Sequence, residues 1–162
     1  MKRTLVTLTA IALIALASPM FAANTTAPLG ISATVSTTCS ITTAPVNFGA
    51  YDTVTGTAVA GTGTVNVACT KGATGLTIDL NTGTNAANAT IPNTRAMNNG
   101  TNYLNYDLYS DSGHATLWTT GFGISNAPSK AARPFTVYGL IAANQDVPAG
   151  AYADTVTAQI NY

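Results

Sequence analysis

Glutamate is absent from this chain of 162 residues, and charge of either sign is scarce: six lysines and arginines, six aspartates and one histidine, with 7% charged residues in all. An ordinary soluble domain carries about 25%. The formal net charge is zero, so no basic field steers a nucleic acid toward the protein. One histidine, two cysteines and the scattered aspartates Asp52, Asp79, Asp107, Asp111, Asp146 and Asp154 leave few ways to build an acid–base pair or a metal cage. Gly61-Thr62-Gly63 and Gly121-Phe122-Gly123 are too short to cradle a phosphate, and no Lys-Ser/Thr pair follows either. No serine stands in a G-x-S-x-G setting. These absences argue against an enzyme, and no cofactor or metal is expected. The length admits one ordinary domain.

The leading residues read as an export signal. Met1-Lys2-Arg3 forms a short positive start, and Leu5 to Ala17 is an apolar run too short to span a bilayer. Met20-Phe21-Ala22 has the small-residue spacing of a cleavage site, so residues 1–22 are expected to be removed. No later segment is apolar enough to cross a membrane. Losing Lys2 and Arg3 leaves the cations Lys71, Arg95, Lys130 and Arg133 against six aspartates, a mildly acidic mature protein. Export also places Cys39 and Cys69 in an oxidising space, where an even pair most simply forms one disulfide. The chain-entropy estimate for a loop of about 30 residues is ~3.5 kcal/mol.

The body of the chain lacks a sustained 3.6-residue apolar period and has period two instead. Val65, Val67 and Cys69 alternate with Thr64, Asn66 and Thr70, and Leu76, Ile78 and Leu80 with Thr77, Asp79 and Asn81. Leu104, Tyr106 and Leu108 share a face, and Phe135, Val137 and Ile141 begin a strand that is apolar on both sides through Tyr138 and Leu140. Val156, Ala158, Ile160 and Tyr162 form a last apolar row. Asn98-Asn99-Gly100-Thr101 suits a tight type I′ hairpin, and residues 82–94 read as a surface loop. Short strands at this spacing predict an all-β, immunoglobulin-like sandwich.

The two ends fit a closed sandwich badly. Residues 24–38 carry no charge and alternate Leu29, Ile31, Ala33 and Val35 against Gly30, Ser32, Thr34 and Ser36, whereas an exported tail is ordinarily polar and frayed. The last apolar row has no following strand to cover its edge, and an open edge is a template for another chain. The pattern suggests a sandwich short of one strand and a free strand suited to a sandwich.

Specific residues carry a family resemblance. Cys39, Phe48-Gly49-x-Tyr51, Cys69, Arg95-x-Met97, Tyr106-x-Leu108-Tyr109, Trp118, Tyr138-Gly139-Leu140-Ile141, Gln145 and Gly150-x-Tyr152-x-Asp154-x-Val156…Tyr162 resemble the spore coat protein U domain family, which includes subunits of Csu-type archaic chaperone–usher pili. The resemblance implies an incomplete immunoglobulin-like sandwich of six strands plus an N-terminal donor strand. It divides the chain into a signal peptide (1–22), a donor segment (23–38) and a pilin domain (39–162). It implies a periplasmic chaperone that lends a strand, an outer-membrane usher, and neighbouring copies that supply the replacement, giving a cell-surface fibre for adhesion or biofilm growth. Leu29, Ile31, Ala33 and Val35 are the expected donor residues, and Val156, Ala158, Ile160 and Tyr162 the expected acceptor edge. Small Ala33 is expected where the groove is shallowest.

Two other functions fit the same residues: a self-complemented secreted or coat protein of this family, and a small carbohydrate-binding module using Trp118 and the seven tyrosines. Trp118 is expected in the core rather than on a sugar. His114 is expected to be solvated in a turn, Asp107 and Asp111 to be surface acids rather than calcium ligands, and Arg95 and Arg133 to form weak surface pairs.

Overall fold

The structure is a computed structural model that describes residues 21–90 and 92–162. The expected signal peptide therefore lies, but for its last two residues, outside the described residues. The chain separates into two units at Thr34/Val35. In the first, residues 21–34 form no strand and are exposed throughout. Leu29 and Ile31 retain 85% and 90% of their accessible surface.

The second unit is all β. Its strands are β1 (Cys39–Asn47), β2 (Val59–Cys69), β3 (Thr77–Leu80), β4 (Arg95–Asn98), β5 (Tyr103–Tyr109), β6 (Phe122–Gly123), β7 (Arg133–Ile141) and β8 (Ala158–Asn161). They form a five-stranded sheet ordered β1-β2-β7-β5-β4 and a three-stranded sheet ordered β6-β3-β8. Every pairing is antiparallel. The described strands number eight rather than six, because the short segments β4 and β6 extend the sheet edges. Without them, the chain order matches an immunoglobulin constant-type sandwich, with A-B-E-D on one sheet and C-F on the other. In that fold a seventh strand, G, lies beside F. Here β8 holds the place of F, and among the described residues its second edge has no strand partner.

Period-two patterning explains the core. Val65, Val67 and Cys69 from β2, Ile78 and Leu80 from β3, Tyr106 and Leu108 from β5, and Val137 and Ile141 from β7 all point between the sheets and are buried. Cys39 and Cys69 face each other across β1 and β2 and are bonded. Trp118 is 2% exposed, and its indole N–H donates to the Ile78 carbonyl at 3.1 Å. It is a core residue, as expected, and no sugar can stack on it.

Several expectations fail in instructive ways. Arg95 makes no surface pair: it is 0% exposed and donates to the carbonyls of Asn81 (3.0 Å), Leu80 (3.0 Å) and Trp118 (2.8 Å). Burial pulls the guanidinium below its ordinary pKa, opposed by the nearby Tyr106, Asp107 and Asp154. Asp107 is buried rather than superficial and accepts from the Thr94 backbone N–H (2.8 Å) and hydroxyl (2.6 Å). His114 is half-buried, edge-on to Tyr109 at 5.2 Å. The 99–102 connection between β4 and β5 has four residues, because Asn98 pairs with Tyr103. The Asn99 side chain accepts the amides of Thr101 and Asn102, so asparagine bonding organises this turn rather than a two-residue type I′ geometry.

Candidate functional site: an apolar groove between two open edges

A concave groove of the second unit opens between β1 and residues 152–158. One part, of about 440 Å³, is bordered by Thr43–Val46 and Phe48 on one side and by Tyr152–Val156 and Ala158 on the other. Its floor is the inner face of the sandwich: Val65, Leu80, Met97, Tyr106, Leu108 and Val137. A second part, of about 550 Å³, shares Val46, Phe48, Met97 and Tyr152 with the first and continues past Leu104, Ile141 and Val147. The floor is core surface, yet it reaches the outside.

Both rims carry the same signature of an unfinished sheet. Tyr152, Asp154, Val156, Ala158 and Ile160 are half-buried, while Ala151, Ala153, Thr155, Thr157 and Gln159 between them are exposed. Side chains of the even positions therefore face inward. The backbone hydrogen bonds of this segment use the odd positions: Ala153 exchanges both bonds with Asn98, and the Thr157 carbonyl accepts from Asn81 at 3.0 Å. Since backbone groups alternate sides along a strand, the N–H and C=O groups of Val156, Ala158 and Ile160 point to the free edge. On the opposite rim, the Thr38 carbonyl accepts from Thr70 at 2.9 Å. That bond directs even-numbered backbone groups of β1 toward β2 and leaves those of Cys39, Ile41 and Thr43 facing out. The ladder of β8 covers only Ala158–Asn161, so the last strand is shorter than the expected apolar row. Tyr162 lies past it and is 60% exposed.

Glycine positions one wall. A Cβ on Gly139 would stand 2.6 Å from Phe48, one on Gly61 2.7 Å from the Asn47 carbonyl, and one on Gly63 2.7 Å from Val46. Gly61 and Gly139 are direct partners in the β2–β7 ladder. The missing side chains let the second half of β1 lie down on the sheet and place Phe48 over it, edge-on to Tyr106 at 5.8 Å. Gly61-Thr62-Gly63 thus serves close packing. Tyr51 anchors the far end: its hydroxyl donates to the Ala142 carbonyl at 3.1 Å and accepts from the Gln145 amide at 2.9 Å.

One polar cluster holds the other wall. Asp154 accepts from the Tyr106 hydroxyl (2.7 Å), from the Thr84 hydroxyl (2.7 Å) and amide (3.0 Å), and from the Asn85 side chain (3.0 Å). Burial by itself raises the Asp154 pKa, but the hydrogen bonds from Tyr106 and Thr84 together prevail and hold it below the ordinary carboxylate value. Burial, then the bond to Asp154, pushes the Tyr106 hydroxyl well above its ordinary value. Sequence reasoning missed this cluster, although Asp154 stands inside the Gly-x-Tyr-x-Asp-x-Val motif. The loop over residues 82–94 was read as a mere surface connection, yet it supplies three of the four donors.

The arrangement can bind an extended, apolar-alternating strand through main-chain bonds and inward side chains. Among the described residues no group of three or more metal-ligating side chains occurs. No helix of the described residues is long and apolar enough to cross a membrane.

Residues 25–159 match the Spore Coat Protein U domain. The chain is similar to Protein U of Myxococcus xanthus, with 36% identity over an alignment of 176 positions that covers 99% of this chain and 98% of that protein. Among solved structures it is similar to the crystal structure of the CsuC–CsuE chaperone–tip adhesion subunit pre-assembly complex from the archaic chaperone-usher Csu pili of Acinetobacter baumannii. That match has a TM-score of 0.54 and 23% identity, and it covers 80% of this chain and 40% of that one. This last likeness is one of fold.

Proposed function

This chain belongs to the Spore Coat Protein U domain family, and on that premise we propose that it is a structural pilus subunit that polymerises by donor-strand complementation. The observation that carries the reading is the pair of open strand edges, β1 and β8, flanking a groove whose floor is core surface. The donor is residues 24–36 of the neighbouring copy. Its apolar side chains Leu29, Ile31, Ala33 and Val35 enter the groove, and its backbone pairs with the outward groups of Val156, Ala158 and Ile160, with Tyr162 at the groove's end. A periplasmic chaperone fills the groove first, and an outer-membrane usher exchanges it for the donor. The fibre stands on the cell surface and serves attachment or biofilm growth. The protein is structural and catalyses no reaction.

The magnitudes support association. Burying Leu29, Ile31 and Val35 contributes ~5–9 kcal/mol at ~1.5–3 kcal/mol each. Main-chain bonds add ~1 kcal/mol apiece, and ordering the donor costs ~1–2 kcal/mol per residue. Side-chain burial therefore decides the sign. A chain lacking residues 24–36 is expected to bind the chaperone and form no fibre, and normal fibres from that chain would defeat the donor assignment.

A second reading is favoured by the match to Protein U over nearly the whole of both chains: a coat or secreted protein whose leading segment completes its own sandwich. Gel electrophoresis without boiling separates the two. A subunit of a fibre gives an SDS-resistant ladder, and a self-complemented protein runs as a monomer at every concentration.

A further inference from the structure

The exposed lysines and the exposed aspartates of the domain lie at opposite ends of the β2–β7 ladder. Lys71 follows β2, and Lys130 lies in the connection that enters β7 at Arg133. These two connections are tied together, with the Gly72 amide donating to the Ala127 carbonyl at 2.8 Å and the Ala127 amide to the Ala73 carbonyl at 3.0 Å. Arg133 faces Val67 at the same end of the β2–β7 ladder, half-buried and donating to the Ser125 carbonyl at 2.8 Å. The fourth cation after residue 38, Arg95, is buried. At the opposite end, Asp52 and Asp146 are exposed, on loops joined by the Asn144 amide donating to the Gly56 carbonyl at 2.9 Å. The other aspartates are engaged along the length of the sandwich: Asp79 with Asn161, Asp107 with Thr94, Asp154 with Tyr106, and Asp111 with three backbone amides of its own loop.

The second unit begins at the basic end, where the Thr38 amide donates to the Thr70 hydroxyl beside Lys71. A head-to-tail repeat sets one end of each copy against the opposite end of the next. We propose that the Lys71/Lys130 end of one copy docks against the Asp52/Asp146 end of the next, and that this charge match orients subunits as the strand is handed over. The inference rests on the polymer reading above and adds a second, polar surface to it. Opposed charges of this kind set encounter rate and register more than final affinity.

The test uses the mature full-length chain and measures the initial rate of fibre growth from seeds. Lys71→Asp with Lys130→Asp reverses one end, Asp52→Lys with Asp146→Lys reverses the other, and a third chain carries all four changes. At low salt each one-end reversal slows growth about tenfold, the lower bound for electrostatic steering. The four-fold variant, whose ends are again complementary, returns to within about twofold of the parent on the same scale. In about 1 M salt, where the Debye length is ~3 Å, the four chains grow alike. Thermal melting of each monomer establishes folding, and if a reversal does not fold, Lys71→Gln with Lys130→Gln gives the same comparison. One-end variants that grow like the parent, or a four-fold variant that stays slow, overturn the proposal. Deleting residues 24–36 from each background tells the two failures apart: growth that survives the deletion overturns the donor reading, whereas growth that needs the segment but ignores charge overturns the docking surface alone.

Discussion

Replacing Arg95 with methionine keeps most of the volume and removes the charge, and it is expected to cost the domain about 3–5 kcal/mol, because three hydrogen bonds from a charged donor are lost while the cost of burying the guanidinium is recovered. The figure follows from the geometry. Arg95 is fully buried and donates to three backbone carbonyls, those of Leu80, Asn81 and Trp118. Bonds to a charged donor contribute ~1.5–3 kcal/mol each, and two of the carbonyls left behind, those of Leu80 and Trp118, are buried. The recovered desolvation cost of the guanidinium offsets part of that sum, which is why the expected total stays near the lower values. Leu80 is also floor of the groove, so strand uptake is expected to weaken together with stability. The assay is urea unfolding of the parent and Arg95→Met under matched conditions. With a slope near ~2 kcal/mol/M the midpoint falls by about 1.5–2.5 M. Arg95→Lys retains the charge but not the forked donor set, and it is expected to recover less than half of the loss. A midpoint within about 0.3 M of the parent for Arg95→Met would refute the reasoning.

Gly139→Ala places a Cβ 2.6 Å from the Phe48 ring, and overpacking of this kind costs about 1–3 kcal/mol; calorimetry is expected to show a lowered melting temperature, and Phe48 is expected to leave the groove wall. Acid is expected to weaken the domain through Asp154: its folded pKa lies below the unfolded one, so its contribution is complete above about pH 4 and is lost as pH falls through the folded value. Asp154→Asn flattens that acid limb in a pH series of thermal melts. Tyr106 has the opposite sign, since its folded pKa is raised: its contribution is complete below about pH 10 and declines above it, and Tyr106→Phe removes this alkaline limb.

The parts of the fold legible in the sequence are those in which one physical rule acts alone. β2 and β3 alternate because one face meets the core and the other does not, β5 does so except at buried Asp107, and the disulfide followed from an even pair in a chain expected to be exported. What escaped was set by tertiary partners. Arg95 and Asp107 read as surface charges because their type is rarely buried, and the carbonyls of Leu80, Asn81 and Trp118 and the donors of Asn93 and Thr94 make their burial tolerable. The four-residue β4–β5 turn was hidden because Asn98-Asn99-Gly100 fits more than one turn geometry. The apolar row toward Tyr162 was legible as a face, but its ladder was not: Ala153 binds Asn98 of the larger sheet, while among the described residues β8 pairs only with β3. The period-two alternation of one groove wall, Tyr152 to Ile160, was legible. The opposite wall was not, because it depends on Gly61 and Gly139 meeting across two strands far apart in sequence.

Amide hydrogen exchange on a chain lacking residues 24–36, with and without a synthetic peptide of that sequence, goes straight to the question of where the ribbon sits. Slowed exchange is expected at the edge-facing amides of Ile41, Thr43, Val156, Ala158 and Ile160, and a peptide with Ile31→Asp is expected to leave them fast. Unchanged exchange at those five amides with saturating peptide, or slow exchange there before any peptide is added, would contradict the account.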